Sequence, residues 1–146
     1  KDVYPNSALI QLASDSAFKV GARIAGTQQI GILSGRGNRS ASLQLLDNST
    51  TVKVGDVLLA RGSVANFPFV PGVPLGYVSQ VDNSAGAVAQ TATIRYYTNF
   101  STLGIVAVVV SGPKSNPGDS LVPRKPQVTP IPTVTVTVTP SPTANN

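Results

Sequence analysis

The chain of 146 residues contains no cysteine, histidine, methionine or tryptophan, and no glutamate, so that its six acidic residues are all aspartate. Without histidine and cysteine it cannot build Ser-His-Asp or Cys-His nucleophile systems, imidazole or thiolate zinc sites, or the usual haem and iron–sulfur ligation. Glutamate and methionine are good helix formers, whereas the plentiful valine and threonine favour strands. We therefore predict an all-β protein that is not an enzyme, with no catalytic, metal or cofactor-binding residues.

The net charge of +5 is spread along the chain without a dense basic run. Nucleic-acid binding needs clustered Lys and Arg with interleaved aromatic residues, so we expect no nucleic-acid partner. A diffuse positive charge favours association with anionic membranes or wall polymers instead. No stretch reaches the roughly 18 apolar residues of a spanning helix, and no signal peptide is visible, so we expect a fragment of a longer protein.

Short segments of alternating or continuous apolar residues recur along residues 7–110 and are separated by turn residues. Residues 18–24 alternate with period two, which is typical of a half-buried strand, and residues 104–110 are almost continuously apolar, which predicts a strand buried on both faces. Several short strands joined by regularly spaced turns predict small β-barrels of short antiparallel strands, or a sandwich.

The composition changes after residue 110, and eight of the twelve prolines lie between Pro113 and Pro142. This segment has little apolar area to offset the entropy of ordering a chain. We predict that residues 111–146 form a disordered Pro/Thr/Val-rich tail, which in functional terms is an extended spacer.

The segment 67–76 contains three prolines and two glycines, which do not fit a central strand. We predict a stiff loop that either caps its own barrel or presents a rigid apolar knob to a partner, and both roles remain open. The candidate partner-binding residues are Phe67, Phe69, Val70 and Pro71. The residues expected at structural turns are Gly31, Gly35, Gly55, Asp56, Gly72 and Gly76.

Other local patterns carry no chemistry. Ser16 and Lys19 match S-x-x-K, but a strand places them on opposite faces and the companion motifs are absent, so we interpret the match as chance. Five of the six aspartates stand beside Ser, Asn or Gly and are interpreted as turn carboxylates: Asp15, Asp47, Asp56, Asp82 and Asp119. Tyr96 and Tyr97 are adjacent, so one is expected to face the core and the other the solvent.

Three motifs in a fixed order resemble the MreC family: G-I-L-S-G at 31–35, V-K-V-G-D at 52–56, and F-P…P-G-x-P-x-G at 67–76. The resemblance covers roughly residues 3–110. It implies a non-enzymatic scaffold for bacterial cell shape and peptidoglycan elongation. Such a scaffold self-associates into a homo-oligomer and binds wall-elongation proteins such as the class B transpeptidase, MreD and RodA.

The resemblance also implies a domain division and a location. Residues 1–26 would be the C-terminal part of a first β-barrel, residues 27–110 a second barrel with its closing strand, and residues 111–146 the tail. The domain would lie outside the cytoplasmic membrane, attached through an N-terminal anchor that this sequence lacks. An alternative function is a carbohydrate- or surface-binding β-sandwich of a secreted protein, which the absence of tryptophan weakens because such modules use exposed aromatic platforms.

Overall fold

The structure is a computed structural model and describes residues 2–47, 51–82 and 89–124. In these ranges it contains strands, two short 3-10 turns at Val64–Asn66 and Phe100–Thr102, and no α-helix. The eight strands are β1 Asp2–Tyr4, β2 Ser7–Leu9, β3 Lys19–Ile24, β4 Ile30–Gly35, β5 Ser40–Leu45, β6 Val57–Ala60, β7 Pro74–Asp82 and β8 Thr91–Tyr96.

Six of these strands form a closed antiparallel barrel in the order β3-β4-β5-β8-β7-β6. The barrel closes where β3 pairs with β6, with Ala22 opposite Ala60 and Ile24 opposite Leu58. Strands β1 and β2 form a separate two-stranded hairpin. The all-β prediction is therefore confirmed, and the barrel replaces the sandwich that the strand pattern left open.

The alternating sequence of the strands accounts for the barrel core. In β5, for example, Ala41, Leu43 and Leu45 are buried while Gln44 between them is exposed. Each buried aliphatic side chain contributes about 1.5–3 kcal/mol relative to an exposed one. The core is formed by Val20, Ala22, Ile24, Leu33, Ala41, Leu43, Leu45, Val52, Leu58, Val78, Ala92, Ile94 and Tyr96.

The predicted boundary after residue 26 needs correction. Strand β3 lies in the segment assigned to a first barrel, but it pairs with both β4 and β6 of the closed barrel. The break at Gly26, which has a φ of 82°, is the turn of the β3–β4 hairpin and not a link between domains. Alternation alone identifies a strand but not the sheet that it joins.

The predicted closing strand at residues 104–110 is also wrong. These residues form no strand, and Val108 and Val110 are 72% and 88% exposed. The physical reason is that the pairing of β3 with β6 already closes the barrel, which leaves no free edge for a further strand.

The sequence predicts a disordered tail from residue 111. Residues 113–122, which we call the strap, instead lie against the barrel. Asp119 of the strap pairs with Arg23 of β3, and Pro117 lies beside Gly72. The composition of the segment could not reveal this distant charge partner. The rest of the predicted tail, residues 125–146, lies outside the described residues.

The predicted turn glycines divide into two groups. Gly55 and Gly72 lie in turns with φ values of 95° and 81°. Gly31, Gly35 and Gly76 lie instead inside strands β4 and β7, so their assignment to turns is corrected. At Gly76 a Cβ atom would overlap the Arg95 carbonyl oxygen of the neighbouring strand, and this close approach requires glycine.

Asp56 does lie at the turn before β6. Its Oδ2 atom accepts a hydrogen bond of 2.9 Å from the Lys53 amide. The Asp56 amide in turn donates to the Lys53 carbonyl oxygen over 3.1 Å. The V-K-V-G-D motif is therefore a hydrogen-bonded turn that aligns the chain for β6.

Candidate interaction surface

An apolar groove of about 720 Å³ runs between the β1–β2 hairpin, the loop that joins β6 to β7, and residues 103–109. Large contiguous apolar patches are uncommon on the surface of soluble monomers, and they often mark a site of contact with another macromolecule. The groove is lined by Val3, Ala8, Leu9, Ile10, Leu12, Phe18, Val20, Ala60, Pro68, Phe69, Val70, Val73, Leu75, Leu103, Val106, Ala107, Val108 and Val109.

The β6–β7 loop is held at its base by backbone hydrogen bonds. The Ala60 amide donates to the Val73 carbonyl oxygen, and the Gly72 amide donates back to the Ala60 carbonyl oxygen, each over 2.8 Å. Further along, the Ser63 amide donates to the Phe69 carbonyl oxygen over 2.9 Å. The loop is thus shaped by its own backbone, as its proline and glycine content predicted.

The four candidate residues of this loop point in different directions. Phe69 packs edge to face on Phe18, with ring centroids 5.7 Å apart, and contacts the barrel core. Pro71 is buried, and Val70 is half-buried in the groove wall. Phe67 is 78% exposed. Phe69 therefore caps the barrel, Pro71 packs beside Gly62 of the same loop, and Phe67 projects into solvent. The partner-binding role of all four remains a prediction.

Tyr96 fixes the segment that leads from the hairpin into the barrel. Its hydroxyl donates a 2.6 Å hydrogen bond to the Ala13 carbonyl oxygen, and its ring meets Phe100 edge to face at 5.1 Å. Burial raises the pKa of Tyr96 to about 12. The segment around Leu12, which lines the groove, is therefore attached to the barrel by the hydrogen bond between Tyr96 and Ala13.

Tyr97 faces outward, which confirms the expectation that the two adjacent tyrosines point to opposite sides. Its ring lies 5.8 Å from that of Tyr77, and burial, with the neighbouring Tyr77 adding to it, raises the pKa of Tyr97. The pair forms a small aromatic surface on the barrel exterior.

Sequence reasoning missed a second site, where the strap meets the barrel. Arg23 is only 5% exposed, and its Nη1 and Nη2 atoms donate to Asp119 Oδ1 and to the Gly118 carbonyl oxygen. The Gly26 amide donates to Asp119 Oδ2 over 2.8 Å. These hydrogen bonds, from Arg23 first and then Gly26, hold the pKa of Asp119 below its ordinary value. Arg23 and Asp119 are 96 positions apart in the sequence, so no local sequence pattern indicates that they pair.

Within the described ranges, no cluster of three or more His, Cys, Asp or Glu side chains is placed to hold a metal ion. In the same ranges no helix has the length and apolar character needed to cross a membrane. The features that the structure does bring together are the apolar groove and the Arg23–Asp119 pair, and both are arrangements for non-covalent contact.

A family model described as the rod shape-determining protein MreC, barrel core, matches residues 1–110. The chain belongs to the MreC family. Among the solved structures that resemble this MreC-family chain are two that are each 23% identical to it. One, named MreC, has a TM-score of 0.49 and a match that covers 62% of this chain and 52% of that one. The crystal structure of MreC from Pseudomonas aeruginosa has a TM-score of 0.48 and a match that covers 60% and 57%.

The chain therefore spans a little over half the length of the two solved MreC structures. No curated protein matches it. The family match confirms the resemblance that the three motifs indicated. It ends at residue 110, so the strap lies beyond it.

Proposed function

We propose that this MreC-family chain is the extracytoplasmic β-domain of a non-enzymatic scaffold for rod cell shape and peptidoglycan elongation. The observation that carries the proposal is the family match over residues 1–110. In the whole protein, the domain is attached to the outer face of the cytoplasmic membrane by an N-terminal anchor.

The scaffold acts by self-association and by binding wall-synthesis proteins, among them the class B transpeptidase, MreD and RodA. The apolar groove supports this mode of action, because the exposed valines along it, such as Val108 at 72% and Val109 at 60%, offer apolar area to a partner. Phe67, at 78% exposure, extends the apolar surface at the tip of the neighbouring loop.

Residues 2–9 are proposed to belong to a first barrel of the whole protein. They form a separate two-stranded hairpin, and two strands alone are marginally stable in water. Val3 and Leu9 are 85% and 57% exposed, so further apolar packing would stabilise the hairpin.

Co-purification of the full-length protein with its partners from the bacterium that encodes it tests this mode of action. Val108→Asp places a charge in the groove, and we expect recovery of the wall-synthesis proteins to fall at least fivefold. Val110→Asp is the matched control, because Val110 is 88% exposed and lies outside the groove lining. Equal recovery with both variants would show that the groove is not the partner surface.

A further inference from the structure

The strap, residues 113–122, is attached to the barrel mainly by polar contacts. Of its residues, only Pro117, Gly118 and Val122 are partly buried, and the others are exposed. The apolar area that the strap buries is therefore small. Its attachment depends on the hydrogen bonds and the charge pair that Asp119 makes.

Arg23 points away from the core, because its neighbours Ala22 and Ile24 are core residues, and its guanidinium contacts the strap and Gln28. Strand β3 holds the residue between β4 and β6, with Arg23 opposite Ile30 on one side and Leu59 on the other. In the part of the chain that the structure describes, Asp119 is its one ion-pair partner. A guanidinium that the strap covers would be strongly unfavourable without an anion beside it, so a carboxylate at this place stabilises the docked strap.

The turn after β3 is shaped to receive the same carboxylate. Gly26 and Gln28 have φ values of 82° and 61°, and the Gln28 amide donates to the Ile24 carbonyl oxygen over 3.0 Å. This conformation directs the Gly26 amide to Asp119 Oδ2 and brings the Gln28 Nε2 atom within 3.2 Å of it. A positive φ is uncommon for a residue other than glycine, and such strain often accompanies a binding site.

The strap presents its aspartate on a turn that is built from its own residues. The Asn116 Oδ1 atom accepts a 3.0 Å hydrogen bond from the Gly118 amide. The Pro117 carbonyl oxygen accepts hydrogen bonds from the amide and the hydroxyl of Ser120, at 3.2 and 2.7 Å. The Pro-Gly-Asp turn is consequently preorganised, which lowers the entropic cost of docking it on the barrel.

We propose that Arg23, Gln28 and the Gly26 amide form a peptide-carboxylate site on the barrel, whose ligand is an aspartate displayed on a Pro-Gly-Asp turn. In this chain the strap fills the site as an intrachain ligand. The same turn on a second copy has the same chemistry, so the strap can be exchanged between two chains. This site is independent of the apolar groove and of the partners proposed for it.

A peptide of residues 115–122 is the probe for this site. It is titrated into the full chain carrying Asp119→Asn, which removes the intrachain carboxylate and keeps the shape of the side chain. The expected result is 1:1 binding that shifts the Gly26 amide signal in NMR spectra and is at least tenfold tighter than that of the same peptide carrying Asp119→Asn. Equal affinities of the two peptides, or an unmoved Gly26 signal, would overturn the proposal.

A second variant separates the site from the fold. Adding Gln28→Asn to the Asp119→Asn chain keeps a residue that tolerates the left-handed backbone, but its shorter amide does not reach the carboxylate. We expect peptide affinity to fall at least threefold. The urea midpoint measures any cost to the fold separately, because the Gln28 Oε1 atom also accepts a 3.1 Å hydrogen bond from Arg23 Nη1. Unaltered peptide affinity would contradict the role given to the turn.

Mixing two variants shows whether the aspartate in the site comes from the strap of the same chain or from the strap of a second copy. The Asp119→Asn chain retains the site, and an Arg23→Gln chain retains the strap. A 1:1 heterodimer in sedimentation, with a shifted Gly26 amide in the Asp119→Asn chain, supports exchange with a second copy. A mixture that stays monomeric while the peptide binds supports the intrachain strap as the ligand.

Discussion

Arg23 and Tyr96 are buried residues of the barrel strands, and the polar group of each forms a hydrogen bond with a residue far away in the sequence. The partners are Asp119, which is 96 positions from Arg23, and the Ala13 carbonyl oxygen, which is 83 positions from Tyr96. The sequence predicted that one of the two adjacent tyrosines faces inward, because side chains alternate along a strand. It could not predict either partner, since nothing local links residues so far apart.

Asp119→Asn tests the charge pair through its dependence on pH. The pKa of Asp119 is lowered in the folded chain from an ordinary value of 3.8, so the carboxylate stabilises the fold above that value. This contribution is lost as pH falls through the lower, folded-state pKa. Because the side chain is partly exposed to solvent, we expect the variant to be about 1 kcal/mol less stable at neutral pH. Urea unfolding at neutral pH and in acid measures the difference, which should shrink as pH falls below 3.8; an undiminished difference in acid would contradict the assignment.

Tyr96→Phe removes one buried hydroxyl and keeps the ring against Phe100. We expect a loss of about 1 kcal/mol at neutral pH, because the hydrogen bond to Ala13 is lost. The folded-state pKa of about 12 lies above the ordinary 10.0, so the stabilising effect of the Tyr96 hydroxyl falls as pH rises from the lower to the higher value. The advantage of the wild type in urea unfolding should shrink over this range. The control is Tyr97→Phe, on the exposed ring, which should cost less at neutral pH.

At the scale of elements, the local period of the sequence located most of the barrel strands but not their pairing. The alternation at 18–24, for example, corresponds to β3. The strand predicted at 104–110 does not form, and the reason is different. An apolar run indicates burial, but it does not show whether the edge of a sheet is free to pair with it. Sheet membership is a property of the closed barrel and is not encoded in any single segment.

Gly76→Ala tests the close packing of β7 on β8. The added Cβ atom would overlap the Arg95 carbonyl oxygen, so we expect destabilisation of about 1–3 kcal/mol. Gly104→Ala is the matched control, because no atom lies within 4 Å of the added Cβ there and the residue belongs to no strand. Thermal or urea unfolding should separate the two variants, and equal midpoints would mean that the strands are not packed as described.

Gly55→Val tests the turn that leads into β6. Gly55 has a φ of 95° and free space around it, so the cost comes from the backbone conformation and not from a clash. We expect about 1–2 kcal/mol of destabilisation, because a β-branched residue strongly disfavours the left-handed region. The exposed Lys53→Ala on the same turn should change the urea midpoint much less. Equal midpoints would count against the assignment of this turn.

At the scale of the whole molecule, three motifs were enough to predict the family and the barrel, because their order reflects the order of turns and strands. The V-K-V-G-D motif is the turn before β6, and the F-P…P-G-x-P-x-G motif is the loop that borders the groove. The groove itself was only partly predictable. Its loop wall follows from composition, whereas residues 103–109 and the hairpin reach it through the overall path of the chain.

We propose that the whole protein determines rod shape through this domain. The cell length-to-width ratio tests this proposal, measured in the bacterium that encodes the protein after depletion of the native copy and expression of a full-length one. We expect rods with the wild-type copy and with Val110→Asp, and rounded cells with Val108→Asp at equal protein level. Rod-shaped cells after depletion alone, without any copy, would contradict the claim.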